Sequence, residues 1–139
     1  MIGHSSVNRA RLKNLGINVD NAFCTIVLSS LDGQPISRSG RMLLTAGARV
    51  ANTGMIWNDT RTALTTWGGA PSLIEPITGS IVLQKLAPAI EVQAIPLDGA
   101  GRAIGEPIPA AGTEDKWAVP LGKPATTWYE VTVRRAGTR

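Results

Sequence analysis

The feature that most constrains this chain is a period-two alternation of apolar and polar residues, carried in short runs that end at Gly, Pro, Asn or Asp. Such alternation is typical of strands with one buried face. Turn signals such as Asp32-Gly33 and Asp98-Gly99 separate the runs. The pattern predicts strands at 17–19, 22–30, 41–51, 72–76, 79–86, 89–97, 103–108, 116–121 and 127–135.

Helices are nearly absent from this pattern. No amphipathic helix of twelve or more residues fits without crossing a Gly or Pro. The one helix-like piece, RARLKNLG at 9–16, would end at Gly16 within two turns. About eight or nine short strands at a spacing of about ten residues predict an all-β fold. We expect an antiparallel β-sandwich, with a closed β-barrel as the alternative.

The length of 139 residues fits one domain. We assign 17–135 to a single β-sandwich domain, 1–16 to a flexible N-terminal segment or the remnant of a tag, and 136–139 to a flexible C-terminal tail. The parity of the strands also predicts which side chains form the core. These are Leu43, Val50, Ile81, Leu83, Val92, Trp117, Tyr129 and Val131.

The positive net charge does not indicate a nucleic-acid partner. Six of the fourteen cations lie close to the two ends of the chain. Between residues 14 and 133, eight Lys and Arg stand against ten Asp and Glu, a net charge of −2. A duplex-binding protein needs cations gathered on one face, so we expect no nucleic acid as partner. No apolar run approaches the roughly 20 residues of a membrane span, and the first sixteen residues lack the apolar region of a signal peptide.

The sequence contains few residues of the types that bind metal ions. Cys24 is the only cysteine, inside the apolar run AFCTIVLSS, and a small buried hydrophobic role is expected for it. His4 is the only histidine and lies near the N-terminus. A His-based triad or a cluster of His and Cys ligands is therefore excluded, and no cofactor is expected.

The stretch MIWNDTRTALTTWGGAP, residues 55–71, is the candidate binding segment. Trp57 and Trp67 are ten positions apart, with Asn58, Asp59 and Arg61 between them. An exposed indole stacks on the C–H face of a sugar, while polar side chains bond its hydroxyls. Trp128 is added to these candidates because alternation places it on the opposite face of the last strand from Tyr129, which is assigned to the core. The predicted carbohydrate-binding residues are Trp57, Asn58, Asp59, Arg61, Trp67 and Trp128.

Packing explains the same residues equally well. Trp and Arg on one edge of a domain are also enriched at interfaces with neighbouring domains. Composition does not separate a sugar-binding platform from such an interface, so both interpretations stay open.

Three longer stretches carry a family resemblance. They are TIVLSSLDGQPISRSGRMLLTAGARVANTGMIWN at 25–58, TWGGAPSLIEPITGSIVL at 66–83 and ATTWYEVTV at 125–133. In this combination they resemble the accessory β-sandwich that follows the catalytic (β/α)8 barrel in certain bacterial glycoside hydrolases. The resemblance implies a secreted or envelope-associated parent protein, and so an extracellular or cell-envelope location. The first twenty residues match no part of the pattern, and the chain contains no such barrel.

Catalysis by this chain alone has little support in the sequence. A glycosidase pairs two carboxylates about 5 to 9.5 Å apart. Glu75, Glu91 and Glu130 fall on or beside predicted strands, where burial could tune them, but nothing in the sequence pairs them. Nucleophile-elbow, phosphate-loop and dinucleotide motifs are missing.

The sequence therefore predicts a non-catalytic accessory domain of a carbohydrate-active protein. It would bind a polysaccharide or oligosaccharide, or support a glycosidase catalytic domain. Two alternatives stay open: a self-associating structural domain that forms homo-oligomers, and a small stand-alone glycosidase. An unpaired strand edge and an uncovered apolar patch would favour the former.

Overall fold

The computed structural model describes residues 8–137, which form strands and turns without any helix. That range contains no helical segment of the length and apolar character that crossing a membrane requires. In chain order the strands are β1 (Asn8–Arg11), β2 (Leu15–Val19), β3 (Thr25–Ser30), β4 (Arg41–Gly47), β5 (Val50–Thr53), β6 (Ile56–Trp57), β7 (Leu64–Thr66), β8 (Gly69–Ile74), β9 (Gly79–Leu83), β10 (Glu91–Leu97), β11 (Ile108–Pro109), β12 (Ala111–Thr113), β13 (Lys116–Leu121) and β14 (Trp128–Arg134).

Ten of these strands form two five-stranded antiparallel sheets. Sheet I has the order β1-β2-β9-β13-β12, and sheet II has the order β11-β10-β14-β4-β3. Neither sheet closes on itself. The predicted all-β sandwich is thus confirmed and the closed-barrel alternative is wrong. The strand number is higher than the predicted eight or nine, since several strands of two to four residues are too short to show a period.

The core lies between the two sheets. Alternate residues of β9 and β13 point inward from sheet I, and those of β4, β10 and β14 meet them from sheet II. The two sheets are also joined at Tyr129, which is fully buried and whose hydroxyl accepts a hydrogen bond from the Gly122 N–H at 3.1 Å. Six of the predicted core residues are buried, namely Ile81, Leu83, Val92, Trp117, Tyr129 and Val131.

The core prediction is wrong for Leu43 and Val50. Met42 and Leu44 point inward from β4, so Leu43 between them faces outward and is half-buried. Met42, Leu43 and Leu44 are all apolar, so alternation does not show which of them point inward. The prediction selected Leu43, which is the wrong one. Val50 is 62% exposed because the predicted strand 41–51 breaks after Gly47 and Val50 begins a different ribbon.

The N-terminal prediction also needs correction. The helix-like piece at 9–16 is a β-hairpin, in which Asn8–Arg11 pairs with β2 and the Leu12 N–H donates to the Leu15 carbonyl at 2.7 Å. Leu15 and Val19 of β2 are buried in the core. Residues 8–16 thus belong to sheet I, because pairing of β2 with β9 outweighs the weak helical pattern. Residues 1–7, and 138–139 of the predicted tail, lie outside the described residues.

One further boundary differs. The predicted strand 103–108 is mostly loop, with only an isolated bridge at Ala103 and the two-residue β11. The strands on either side of the Asp98-Gly99 turn signal nevertheless pair as a hairpin, β10 with β11. Its long connection begins at Asp98, whose carboxylate accepts hydrogen bonds from the Ala100 and Arg102 N–H groups.

Residues 50–74 form a separate feature that we call the arm. Its strands pair only with one another, β5 with β8 and β6 with β7. No residue of the arm is buried. At its base the Glu75 N–H donates to the Arg49 carbonyl at 2.9 Å, and the buried Asn21 donates to the Glu75 carboxylate at 3.0 Å. The arm is thus tied to the sandwich by polar contacts at its base.

Candidate binding groove at the base of the arm

The tip hairpin, residues 56–66, is organised by Asn58. Its side-chain oxygen accepts hydrogen bonds from the N–H groups of Thr62 at 2.8 Å and Ala63 at 3.3 Å, and its amide donates to the Thr62 hydroxyl at 3.0 Å. The Asn58 carbonyl accepts from the Arg61 N–H at 2.9 Å, and Arg61 has a φ of 55°. The carboxamide oxygen that we predicted to contact a sugar is therefore engaged inside the loop.

A groove of about 550 Å³ lies where the arm leaves the sandwich. Its volume is within the range of small-ligand sites. Phe23 comes from the segment before β3, Arg49 and Val50 from the base of the arm, and Trp57 and Arg61 from the tip hairpin. Ala48, Ala51 and Met55 complete the lining. Residues distant in sequence thus bring apolar surface and positive charge to one concave site.

Both aromatic rings of the groove are open to solvent. Phe23 is 57% exposed and Trp57 is 44% exposed. Large apolar rings in this position leave water-exposed surface that a ligand can cover. The groove therefore offers stacking surface without a change in the packing of the core.

The guanidinium groups of the groove have no partner among the residues that the structure describes. Neither the Arg49 nor the Arg61 side chain forms a hydrogen bond or ion pair within residues 8–137. Two arginines of sheet II differ, since Arg41 binds Glu130 at 2.6 Å and Arg134 binds Glu91 at 2.7 Å. Among the described residues that line the groove, none carries a carboxylate.

The predicted binding residues are divided among several places. Trp57 and Arg61 line the groove together. Trp67, 72% exposed, and Asp59, also exposed, are not part of its lining. Trp128 lies on the outer parity of β14 in sheet II, where a Cβ added to Gly99 would sit 3.7 Å from its ring. The structure thus brings together two of the six, because strand pairing and turn geometry decide which side chains meet.

The groove also contains residues that the sequence did not single out. Phe23 had been assigned to a strand, and Arg49 directly precedes the arm without a motif around it. Met55 lay inside the quoted stretch but was not proposed to bind. The sequence showed only that Phe23 precedes β3, Arg49 precedes β5 and Met55 precedes β6. Only their spatial positions show that they share a surface with Trp57.

Cys24, next to Phe23 in the sequence, packs partly buried against the core. Burial raises the pKa of its thiol above the ordinary value. This agrees with the small hydrophobic role predicted for it. His4 lies outside the described residues.

The three strand carboxylates have separate partners. Glu75 accepts from Asn21, Glu91 pairs with Arg134, and Glu130 pairs with Arg41, whose hydrogen bond holds the pKa of Glu130 below its usual range. Glu130 of β14 lies opposite Ile95 of β10, and Ile95 is four residues from Glu91. The backbone positions of Glu91 and Glu130 are therefore roughly 13 Å apart along the strand direction. Residues 8–137 contain no group of three or more His, Cys, Asp and Glu that would hold a metal ion.

A second concavity of about 300 Å³ lies over the outer face of sheet I. Arg11 and Lys116 flank it, and Gly16, Asn18 and Val82 form part of its floor. Its described lining contains no aromatic ring. It therefore lacks the stacking surface that the groove provides.

Comparison of the chain with protein-family models, with curated proteins and with solved structures finds no match.

Proposed function

We propose that this chain is a non-catalytic accessory domain of a carbohydrate-active protein and that it binds glycan in the groove. The observation that supports this is the position of two exposed rings, Trp57 and Phe23, in one groove with the guanidinium groups of Arg49 and Arg61, which have no partner within residues 8–137. An indole and a phenyl ring cover the C–H face of a sugar, and the guanidinium groups donate hydrogen bonds to its oxygens.

Binding through such a groove is modest in strength. The groove is open and its rings are already half-covered, so a sugar unit buries little additional apolar area. Each aromatic contact adds only about 1 kcal/mol beyond that area, and association costs oppose it. We expect dissociation constants on the order of 1 mM for short oligosaccharides.

The test is calorimetric titration with β-glucan, xylan, mannan and uronic-acid oligosaccharides. Trp57→Ala removes one stacking ring and should abolish saturable binding. Phe23→Ala removes the other ring and should weaken binding. Trp67→Ala is the matched control, because Trp67 is exposed on the same arm but outside the groove lining. It should bind as the parent does.

Folding of every variant is checked by its far-ultraviolet spectrum and melting curve. Failure of the folded parent to bind any of these glycans at millimolar concentration would refute the proposal. Equal loss of binding in Trp57→Ala and Trp67→Ala would also contradict it, since the groove would then not be the site.

A second candidate function is support of a catalytic domain through the arm. Beyond the groove, Ile56, Trp67, Leu73 and Ile74 are all about half exposed or more, from 49% to 72%. Ile74 and Leu73 are consecutive on β8, so they point to opposite faces of the ribbon. Apolar side chains uncovered on both faces are typical of a segment that packs against another protein surface.

Hydrogen exchange distinguishes this candidate from glycan binding. If the arm packs on a glycosidase domain, amides of 64–74 should exchange more slowly in a protein carrying both domains than in this chain alone. The mass in solution of this chain tests the remaining alternative. Dimers that dissociate when Leu73 is replaced by Asp would instead favour a self-associating structural domain.

A further inference from the structure

We infer that the groove selects acidic glycans, with a sugar carboxylate or sulfate held by Arg49 and Arg61. This inference rests on the proposed glycan-binding function and names the class of ligand. It is argued from the hydrogen-bonding groups in the groove and from its charge.

The side chains of the groove supply donors almost exclusively. Each guanidinium carries five N–H donors and no acceptor. The other described lining residues are Phe23, Ala48, Val50, Ala51, Met55 and Trp57, whose side chains add one indole N–H donor and one weak thioether acceptor. A neutral sugar hydroxyl acts as both donor and acceptor, so a neutral ligand would find few side-chain acceptors here.

The acceptors expected from the sequence are not available in the groove. The side-chain oxygen of Asn58 accepts two hydrogen bonds from the backbone of its own loop. Asp59 is not part of the groove lining. A ligand that matches the site must therefore bring strong acceptors itself, and carboxylate or sulfate oxygens are the strongest that glycans carry.

The charge distribution agrees with the hydrogen-bonding argument. Arg49 and Arg61 belong to different segments, the base of the arm and the tip hairpin, and both side chains are exposed and unpaired within residues 8–137. Elsewhere Arg41 and Arg134 are neutralised by glutamates 2.6 and 2.7 Å away. A guanidinium binds a carboxylate through two parallel hydrogen bonds, and such charge-assisted bonds are stronger than neutral ones.

The experiment compares one glycan backbone with and without its charge. Oligogalacturonate and its carboxyl-reduced product of equal length are titrated by calorimetry at 20 and 300 mM NaCl. We expect the acidic form to bind about five- to tenfold more tightly at low salt, because two exposed charge pairs each contribute modestly. At 300 mM NaCl the preference should fall by more than half, since salt screens exposed charges.

Variants identify the residues responsible. Arg49→Gln and Arg61→Gln should each reduce the preference for the acidic form two- to fourfold, because the acidic glycan loses a charge-assisted hydrogen bond where the reduced glycan loses a weaker neutral one. Arg38→Gln is the matched control, because Arg38 is also exposed but is not part of the groove lining. It should leave both affinities unchanged.

An oligosaccharide with a neutral backbone that carries sulfate groups then tests whether sulfate can replace the carboxylate. Binding lost in the same two variants extends the class to sulfated sugars, and absence of binding restricts it to uronates.

The outcomes separate this inference from the function on which it rests. Equal affinity for the acidic and reduced glycans, independent of salt, overturns the charge selection and leaves glycan binding intact. An effect of Arg38→Gln as large as that of Arg49→Gln also overturns it, because the attraction would then be general. Absence of binding to either glycan refutes both proposals.

Discussion

The sandwich and the arm use the same strand patterning with opposite results. In the sandwich, alternate residues such as Ile81 and Val131 are fully buried because a second sheet covers each inner face. In the arm, Val50 and Leu73 lie on comparable strands but are 62% and 56% exposed. Alternation therefore fixes which residues share a face, while burial depends on whether another layer lies opposite.

The two regions also differ in what stabilises them. A two-stranded ribbon is marginally stable in water without a layer to pack on. The arm instead has polar side-chain bonds: Ser72 donates to Asn52 at 2.9 Å, Asn52 donates to the Trp67 carbonyl at 3.2 Å, and Thr53 donates to the Pro71 carbonyl at 2.8 Å. Exposed bonds of this kind contribute little against competing water. We therefore expect the arm to open at lower free energy than the sandwich, and four predictions test this contrast.

The largest effect is expected from the pair Trp117→Ala and Trp67→Ala. Trp117 is 7% exposed and donates from its indole to the Glu114 carbonyl at 3.1 Å, whereas Trp67 is 72% exposed. Loss of the buried ring should lower the free energy of unfolding by about 3 to 5 kcal/mol. Loss of the exposed ring should change it by less than about 0.5 kcal/mol. Urea denaturation measures both, and equal midpoints would show that the arm and the core are not energetically distinct.

Two glycines sharpen the contrast at the level of the backbone. In sheet I, Gly79 has a φ of +118°, and an added Cβ would lie 2.5 Å from the Asn18 carbonyl oxygen. In the arm, Gly68 has a φ of +67°, and an added Cβ would collide with the Thr53 carbonyl. Both substitutions to Ala are strained.

Their consequences should differ. Gly79→Ala should lower the global free energy of unfolding by about 2 to 3 kcal/mol. Gly68→Ala should accelerate hydrogen exchange of the arm amides while leaving the melting temperature of the sandwich nearly unchanged. A similar drop in melting temperature for both variants would mean that the arm and the sandwich unfold as one unit.

Tyr129→Phe isolates one hydrogen bond between the sheets. The variant leaves the Gly122 N–H without its partner beside a fully buried ring. We expect a loss of about 1 to 2 kcal/mol in the free energy of unfolding. Ser72→Ala removes an exposed hydrogen bond from the arm and is the control, with an expected change below about 0.5 kcal/mol. If Ser72→Ala costs as much as Tyr129→Phe, then exposed polar bonds stabilise the arm more than we infer.

The smallest effect is expected at Asp32, in the loop between β3 and β4. Its carboxylate accepts hydrogen bonds from the Ser30 hydroxyl at 2.8 Å, the Gly40 N–H at 2.7 Å and the Ser39 hydroxyl at 2.8 Å. These bonds, that of Ser30 first, hold the pKa of Asp32 well below its usual range. The stability they contribute is present above the unfolded pKa of about 4 and is lost as the pH falls toward the folded value.

Asp32→Asn should therefore melt below the parent at pH 7, and the difference should shrink as the pH falls from 4 to 2. Melting curves across this range measure it. Asp59→Asn is the matched control, because Asp59 lies in the exposed loop of the arm and accepts no hydrogen bond within residues 8–137. A constant difference between Asp32→Asn and the parent at every pH would contradict the assignment of this effect to the ionised carboxylate.

Much of the fold could be predicted because strand patterning is a local property. Alternation placed the strand at 116–121 at the observed bounds of β13, and it assigned Tyr129 and Val131 to the inward face of β14. The Asp-Gly turns were equally visible, since the chemistry of Asp32 and Asp98 acts on residues within a few positions. The helix-like N-terminus was assigned wrongly, because its strand conformation depends on pairing with a distant part of sheet I.

The candidate site depended on contacts that no local pattern contains. The sequence by itself determined that Trp57 and Arg61 lie in a polar, turn-rich segment, since residue type and spacing suffice for that. Only the tertiary structure separated Trp57 from Trp67 and Trp128 and brought Phe23 and Arg49 beside it. It also decided that no other part of residues 8–137 forms a second layer over the arm. The physical reason is that burial and side-chain proximity depend on how distant segments pack, whereas backbone preference depends on neighbours along the chain.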